Sequence, residues 1–391
     1  MHAPPPVHPL IPQGEPELIE TAAALSAFLE HARQVGTFAF DTEFIGEATY
    51  QPRTCLIQLS TSERVALVDP LRLTDVGPVW ELVGDPTVET IVHAGASDLS
   101  PVRRHLGRDP ENLIDVQVAA GFLGMAYPSS LAKLVERFAG HALSKGHTFT
   151  DWDARPLSPS QLRYAADDVR FLPLVWNVVR AELETRSRLA WACRETVARL
   201  DDPHVFDPRA HMRRASRGYD LSPAQERLLE ALCVARDTIA QVEDQPHRTT
   251  IPDGSLLEIV RDRPDTLAAL DAVRGLPRPI VARHGQRLLE ILAQNPSERT
   301  NWFHLRKRRE DEPSAKAIVD AMLREATCAC EELAIAPQLS VTRGDLSHHV
   351  RRCLEAADNA APTPALFPHG DWRLEAFGSR IEDAGRNVPP S

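Results

Sequence analysis

Hydrophobic positions change their spacing several times over the first third of the chain. Short β-type runs of apolar residues at 36–44, 54–61, 64–70 and 90–95 alternate with helical patterns at 17–34, 79–86 and 97–107. Ser97 stands where the last of these helices needs an N-cap. Strands that alternate with helices predict an α/β domain in this part of the chain.

The rest of the chain has the spacing of helices. Helical patterns cover 129–200, 222–295 and about 298–380, with a polar linker predicted at 201–223. Two helix starts look alike, since Ser158 and Ser222 are each followed by Pro and then, at the third position, by Gln. This arrangement predicts a capping box with a preorganised first turn.

The length of 391 residues exceeds one typical core, so we expect several domains. We predict a flexible N-terminus at 1–15, an α/β domain at 16–204, a linker and helical domain at 205–297, a second helical domain at 298–380 and a flexible tail at 381–391.

Composition bears on the compartment in which the protein occurs and on what it binds. No apolar run reaches about 18 residues, so we expect no membrane span. Six cysteines lie apart without a CxxC pair, which favours a reduced, cytoplasmic protein. The net charge of −11 does not by itself indicate a nucleic-acid binder. A metal site built of carboxylates would account for part of the acidic excess.

Two acids interrupt the predicted strand FAFDTEFIG at residues 38–46. Side chains alternate between the two faces of a strand, so Asp41 and Glu43 share one face and the three phenylalanines share the other. Buried carboxylates without partners each cost on the order of several kcal/mol. Either arginine side chains or divalent metal ions, which prefer oxygen ligands, must therefore offset this charge.

A metal site needs further acids from elsewhere in the chain. The stretch HAGASDL supplies Asp98 near the start of a predicted helix, where a lone acid is also favoured by the helix dipole. The stretch YAADDV supplies Tyr164 and Asp168 at i and i+4 on one helix face. Asp167 lies at i+3, so spacing alone does not choose between the two aspartates.

Taken together, these acids and the tyrosine resemble the three exonuclease motifs of the DEDD superfamily in its tyrosine-containing branch. The longer blocks DTEFIGEATYQPRTCLIQLS, TIVHAGASDL and FTDWDARPLSPSQLRYAADDV resemble the ribonuclease D family over about residues 36–180. The stretch GLPRPIVARHGQRLLEIL resembles the last helices of an HRDC domain, and the block after it resembles a second such module. The resemblance implies an α/β ribonuclease H-like exonuclease domain with a mixed sheet, followed by two all-α HRDC-type domains.

The resemblance also implies a metal-dependent 3′–5′ exoribonuclease that releases nucleoside 5′-monophosphates. Its metal ligands fall on Asp41, Glu43, Asp98 and Asp168, which would hold two Mg²⁺ ions, with Mn²⁺ as a substitute. Tyr164 would orient the attacking water. Asp167 departs from the family pattern, and we expect it to face solvent.

Weaker candidates surround this set. Substrate contacts are predicted for Phe44, Gln58, His93, Lys145 and Arg155. Phe44 and Gln58 would border the terminal nucleotide, the first by stacking, and the other three residues have alternatives. His93 also fits a packed core position, Lys145 an exposed loop, and Arg155 a lock on the loop before the last motif.

The expected partner is RNA with a free 3′ end, in particular tRNA precursors, with no membrane and no obligate protein partner. Clustered arginines at 209–217, 278–287 and 306–309 are candidates for phosphate contacts, or for solvated surface. Two other functions stay open at this point: a DNA 3′–5′ exonuclease, and a catalytically idle nucleic-acid-binding protein.

Overall fold

The computed structural model describes residues 5–143, 151–200, 205–300, 304–305 and 313–388. Contacts divide the chain into two compact units. The first comprises Met1–Phe44, Thr54–Pro203 and Arg309–Ser391, and the second comprises Ile45–Arg53 and His204–Arg308. None of the described helices is both long and apolar enough to cross a membrane.

A six-stranded sheet forms the centre of the first unit. Its strands are β1 Glu17–Ile19, β2 Thr37–Ile45, β3 Arg53–Ser60, β4 Val65–Val68, β5 Glu89–Val92 and β6 Leu113–Asp115. Their order in the sheet is β1-β4-β3-β2-β5-β6. β3 and β4 are antiparallel, whereas β1 with β4, β2 with β5 and β5 with β6 are parallel. The predicted mixed sheet is confirmed.

Helices cover both faces of this sheet. They are α1 Ala22–Val35, α2 Gly77–Val83, α3 Ser100–Leu106, α4 Val116–Gly121, α5 Leu131–Ala139, α6 Pro159–Arg170, α7 Leu172–Thr185 and α8 Leu189–Arg199. Phe38 and Phe40 of β2 pack into the cluster that contains residues of α1 and α2. Ala39 packs into the opposite cluster, with residues of α6 and α7. The predicted alternation along β2 is therefore confirmed.

Two local predictions for this unit are wrong. Residues 17–34 do not form one helix, because Glu17–Ile19 pairs with β4 as an edge strand and the helix starts only after the Thr21 N-cap. Ser97 is not an N-cap, because residues 96–99 form turns and α3 begins at Ser100 with Leu99 as its cap residue. The capping box at Ser158 is confirmed.

The second unit has its own apolar core. Its elements are α9 Pro208–Ser216, β7 Tyr219–Asp220, α10 Pro223–Glu243, α11 His247–Thr250, α12 Asp253–Asp262, α13 Leu267–Asp271, α14 Arg278–Gln294 and β8 His304–Leu305. The predicted linker at 201–223 thus contains a helix and a short strand, while the capping box at Ser222 is confirmed. Tyr50, from the segment Ile45–Arg53, is held on α10, where its hydroxyl donates to Asp237 at 2.8 Å.

The C-terminal helices belong to the first unit. They are α15 Pro313–Leu333, α16 Pro337–Ser340, α17 Arg343–Asp358, α18 Trp372–Phe377 and α19 Arg380–Arg386. They share one hydrophobic cluster with α4, α7 and α8. A side chain at Gly121 of α4 would come within 2.6 Å of Leu339, so glycine permits this close approach. The predicted boundaries of a separate domain at 298–380 stay predictions.

Glu195 of α8 binds this C-terminal region. Its carboxylate accepts hydrogen bonds from Arg199 Nε (2.5 Å), Arg373 Nη2 (2.7 Å) and Trp372 Nε1 (2.7 Å). Burial pushes the pKa of Glu195 upwards, but the hydrogen bond and charge of Arg373 outweigh it, so the pKa is lowered. The protein therefore supplies cations of its own to this buried acid.

Candidate active site

Asp41 is the fifth of the nine residues of β2 and Glu43 is the seventh, both on the face that Ala39 shares with α6 and α7. Removal from water raises the pKa of Asp41 well above its ordinary value, and the charges of Asp98, Asp168 and Glu43 raise it further. Removal from water and the charges of Asp168 and Asp98 also raise the pKa of Glu43 to about 8. Burial is the largest cause of both pKa shifts, and the second cause indicates that the carboxylates lie close enough together to repel one another.

Asp98 joins them from the turn between β5 and α3. Its side chain is only 7% exposed. Thr42 of β2 donates two hydrogen bonds to Asp98 Oδ1, from its backbone N at 3.2 Å and from Oγ1 at 2.5 Å. Burial raises the pKa of Asp98 to about 6 even though the bonds from Thr42 lower it. The predicted convergence of the acids of the first two motifs is therefore present in the structure.

The turn that carries Asp98 is tightly built. Ala94 has a positive φ of 56°, and a side chain on Gly95 would meet Val92 at 2.7 Å. Asp115 of β6 accepts hydrogen bonds from Ala94 N (3.1 Å) and Gln117 N (2.8 Å). Asp115 thus positions the turn. The sequence analysis missed both Asp115 and Thr42, although an acid at the end of an apolar run marks Asp115 in the sequence.

α6 contributes Tyr164 and Asp168. Removal from water raises the pKa of Tyr164, and the charges of Asp168, Glu43 and Asp41 add to the shift. Burial and the neighbouring Asp167 raise the pKa of Asp168 to about 7, against a hydrogen bond from Tyr164. The Tyr164 ring lies 6.1 Å from that of Trp152. The phenol therefore stays protonated and donates to the Asp168 carboxylate.

We predicted that Asp167 faces solvent, and this prediction is wrong. Its side chain is 17% exposed, and Arg170 Nε lies 3.5 Å from its Oδ1. The guanidinium of Arg170 is itself buried and donates to the Pro12 carbonyl at 2.6 Å. This pairing favours Asp168 over Asp167 as the acid of the cluster, because Asp167 has a cation of its own whereas the charge of Asp98 contributes to the raised pKa of Asp168.

The donor set fits hard divalent cations, because every candidate ligand is a carboxylate oxygen. Among the described residues, none of the four acids forms an ion pair with Arg, Lys or His. In the same part of the chain, no three His, Cys, Asp or Glu side chains are already drawn together around one point.

The predicted substrate contact by Arg155 is wrong. Its Nε and Nη2 donate to the Asp69 carboxylate at 2.6 and 2.9 Å. Nη2 also donates to the Cys55 carbonyl at 2.6 Å. Nη1 donates to the carbonyls of Trp152 (2.7 Å) and Ala154 (2.9 Å). All five N–H groups are occupied, so Arg155 locks the loop before α6.

Gln58 and His93 are also engaged inside the fold. Gln58 is fully buried in β3 opposite Leu67, so it does not border a nucleotide as predicted. Both polar atoms of its amide lack a hydrogen-bond partner in the described structure. His93 Nε2 lies 2.9 Å from the Ser129 carbonyl, to which Gln117 also donates. This contact favours the packed alternative for His93.

The remaining candidates are less constrained. Phe44 is 38% exposed at the end of β2, so its predicted stacking role stays a prediction. Lys145 and the basic run at 306–309 lie outside the described residues. Other predicted phosphate contacts are paired on the surface, such as Arg283 with Glu243 at 2.5 Å and Arg209 with Glu230 at 3.7 Å.

Known protein families and individual proteins match this chain. A family model described as 3′–5′ exonuclease matches residues 16–184, and the HRDC domain model matches residues 225–292. The ribonuclease D of Gluconacetobacter diazotrophicus is 33% identical over 369 residues, which cover 93% of this chain and 91% of the relative. The ribonuclease D of Escherichia coli K12 is 32% identical over 277 residues, 71% of this chain and 74% of the relative.

Solved structures give the same picture over a longer stretch. The crystal structure of Escherichia coli RNase D, an exoribonuclease involved in structured RNA processing, matches with a TM-score of 0.79 and 28% identity. The match covers 96% of this chain and 100% of that chain. The catalytic core of RRP6 from Trypanosoma brucei shares the fold, with a TM-score of 0.56 over 75% of this chain and 82% of that chain at 24% identity.

Proposed function

This chain belongs to the ribonuclease D family and is a 3′–5′ exoribonuclease, and from that premise we propose that it works with two divalent metal ions and releases nucleoside 5′-monophosphates. The resemblance predicted from the sequence motifs is confirmed, and so is the activity class. The identity of the ions, the product and the physiological RNA are the parts that we propose.

One observation supports metal dependence above all others. Four acids meet at one end of the sheet, and no described cation pairs with any of them. Such a cluster is costly unless positive charge enters it from outside the protein. We assign Asp41, Glu43, Asp98 and Asp168 as the residues that hold Mg²⁺, with Mn²⁺ as a substitute. When bound, such ions activate a water molecule and stabilise the leaving oxygen.

The protein's own groups prepare this chemistry. Thr42 fixes the Asp98 carboxylate by two hydrogen bonds, and Asp115 fixes the turn that carries Asp98. Burial is the largest cause that raises the pKa of Tyr164, so its hydroxyl keeps the proton and is a poor general base. We propose that its hydroxyl holds the attacking water in line with the scissile phosphate.

The substrate that we propose is RNA with an unpaired 3′ end, in particular a tRNA precursor with a 3′ extension. Phe44, which is 38% exposed near the end of β2, is the residue that we propose to stack on the terminal base. The cytoplasmic location is part of this proposal, and the six free cysteines agree with it.

A nuclease assay tests the proposal. The full chain is incubated with 3′-extended tRNA and with a DNA strand of the same sequence, with Mg²⁺ and with EDTA. We expect stepwise shortening of the RNA from its 3′ end, release of 5′-monophosphates, and no reaction in EDTA. Full activity in EDTA would contradict metal dependence, and equal digestion of the DNA would contradict the RNA preference.

A further inference from the structure

A second cleft lies among the C-terminal helices of the first unit. It is formed by α17, by the segment that ends in α18, and by residues that follow α16. Its volume is roughly 360 Å³, within the range of about 300–1,000 Å³ that small-molecule sites occupy. None of the four acids described above lines it.

One wall of the cleft is a polar helix face. Asp345, His348, His349 and Arg352 of α17 line it at positions i, i+3, i+4 and i+7, so they share that face. Asp345, His348 and Arg352 are exposed and His349 is half-buried, so the face presents two imidazoles and a guanidinium to the cleft.

The acids of the cleft are already satisfied. Asp345 Oδ2 accepts from Thr342 N at 2.8 Å and from Thr342 Oγ1 at 2.7 Å. Asp371 stands at the start of α18. Its carboxylate accepts hydrogen bonds from Arg373 N at 2.8 Å and from Arg373 Nη1 at 3.2 Å. Both carboxylates therefore serve the ends of helices.

Arg373, the other cation of the cleft, is also occupied. Its Nη2 donates to Glu195 at 2.7 Å and to the Leu339 carbonyl at 2.6 Å. Its Nε donates to the Ser340 carbonyl. Few N–H groups of Arg373 therefore remain to bind a ligand.

Three nitrogen groups are left without protein partners. Arg352 and His348 form no ion pair or hydrogen bond within the described residues. His349 Nδ1 is buried and has no hydrogen-bond partner there, while its Nε2 lies 3.5 Å from Cys353 Sγ. A buried polar atom without a partner costs about 1–3 kcal/mol, which a hydrogen bond to a ligand in the cleft would relieve. The three groups together match a phosphate group.

An apolar wall faces these donors. Phe367 and Leu366 lie on the segment before α18, and Val341 lies after α16. Phe367 also packs into the main hydrophobic cluster, so its position is fixed. A ligand that satisfies both walls has a phosphate at one end and a flat apolar group at the other.

We propose that this cleft binds a nucleoside monophosphate, with the phosphate against Arg352, His348 and His349 and the base against Phe367 and Leu366. The choice of nucleotide rests on the proposed function, whose product is of this class. The cleft would make the enzyme responsive to the product that it releases, at a place separate from the four acids.

Direct binding to the full chain in EDTA tests this proposal without any turnover. Titration calorimetry compares AMP, adenosine and inorganic phosphate. We expect one AMP per chain, with adenosine and phosphate each binding at least about tenfold more weakly, because each engages only one wall. Arg352→Ala should weaken AMP binding about tenfold, the scale of one charge-assisted hydrogen bond.

Arg343→Ala is the matched control, because Arg343 lies on the same helix but pairs with Asp320 outside the cleft. It should bind AMP like the unchanged protein, and His348→Ala, another exposed change, should weaken binding as Arg352→Ala does. Absence of AMP binding, or equal affinity in Arg352→Ala, would overturn the site. Phosphate that binds as tightly as AMP would overturn the nucleotide assignment. Neither result bears on nuclease activity, so the proposed function is judged separately.

Discussion

Glu195 and Asp98 are both buried acids of the first unit, 2% and 7% exposed, yet their pKa values move in opposite directions. Burial acts on both. At Glu195, the bonds and charges of Arg373 and Arg199 outweigh burial and lower the pKa. At Asp98, the bonds from Thr42 do not suffice, so burial prevails and the pKa rises to about 6.

The difference separates two uses of a buried carboxylate. Glu195 receives its cations from the chain and binds the C-terminal helices to α8. Asp98 stands with three further acids, each with a raised pKa, and receives no cation from the described chain. A buried acid with cations in place stabilises the fold, whereas a cluster without them is prepared for a cation from solution.

The largest expected effect concerns nuclease activity and the cluster of four acids, which receives no cation from the described chain. Asp41→Asn should reduce nuclease activity at least about 10³-fold, the scale of losing one preorganised electrostatic group. The matched control is Asp167→Asn on α6, which alters an acid that already has Arg170 as a partner. Rates on 3′-extended tRNA measure both. Comparable losses of activity in the two variants would contradict the distinction between an acid of the cluster and an acid that already has an arginine partner.

The next effect concerns the stability of the fold at Glu195, the buried acid that receives its cations from the chain. Glu195→Gln should lower the free energy of unfolding by about 3 kcal/mol, because it leaves the buried end of Arg373 without its counter-charge. Glu184→Gln removes the exposed partner of Arg180 and should change stability by less than about 1 kcal/mol. Denaturant unfolding gives both values. A small effect at Glu195 would show that burial of the pair contributes nothing.

A smaller effect separates positioning from ligation. Thr42→Val removes the hydroxyl that holds Asp98 and should reduce kcat about tenfold and raise the metal concentration needed for half-maximal rate. Thr42→Ser retains the hydroxyl and should restore both values. If serine fails to restore them, packing of the Thr42 methyl group explains the loss instead.

The smallest effect is the pH dependence of the Glu195 site. A carboxyl group whose pKa is lowered by folding stabilises the protein fully above its unfolded value of 4.5, and this contribution is lost as the pH falls through the folded value. The stability difference between the unchanged protein and Glu195→Gln should therefore shrink below pH 4.5. A difference that grows at low pH would contradict the sign of this shift.

Local signals predicted two parts of the acid cluster, whereas the family resemblance added Asp98 and the meeting of the three segments. Alternation along β2 places Asp41 and Glu43 together, and helical spacing places Tyr164 with Asp168. Ser158 and Ser222 begin helices through neighbouring residues alone. Each of these inferences uses residues within one element, where period and steric rules decide the outcome.

Most of the misses depend on partners distant in sequence, although Asp167 pairs with Arg170 only three residues away. Arg155 is occupied by Asp69, which is 86 residues away. Glu17–Ile19 becomes a strand because β4 pairs with it, although its residues suit a helix. Gln58 is covered by the surrounding fold. The sharing of one core between the C-terminal helices and the exonuclease helices also has no local signal.

Metal binding without RNA tests the central claim most directly. Thermal unfolding is followed with and without Mn²⁺ for the unchanged protein, Asp41→Asn and Glu195→Gln. We predict that Mn²⁺ raises the Tm of the unchanged protein, that Glu195→Gln starts lower but shows the same rise, and that Asp41→Asn loses the rise. No rise in the unchanged protein, or an equal rise in Asp41→Asn, would contradict a cation site among these acids.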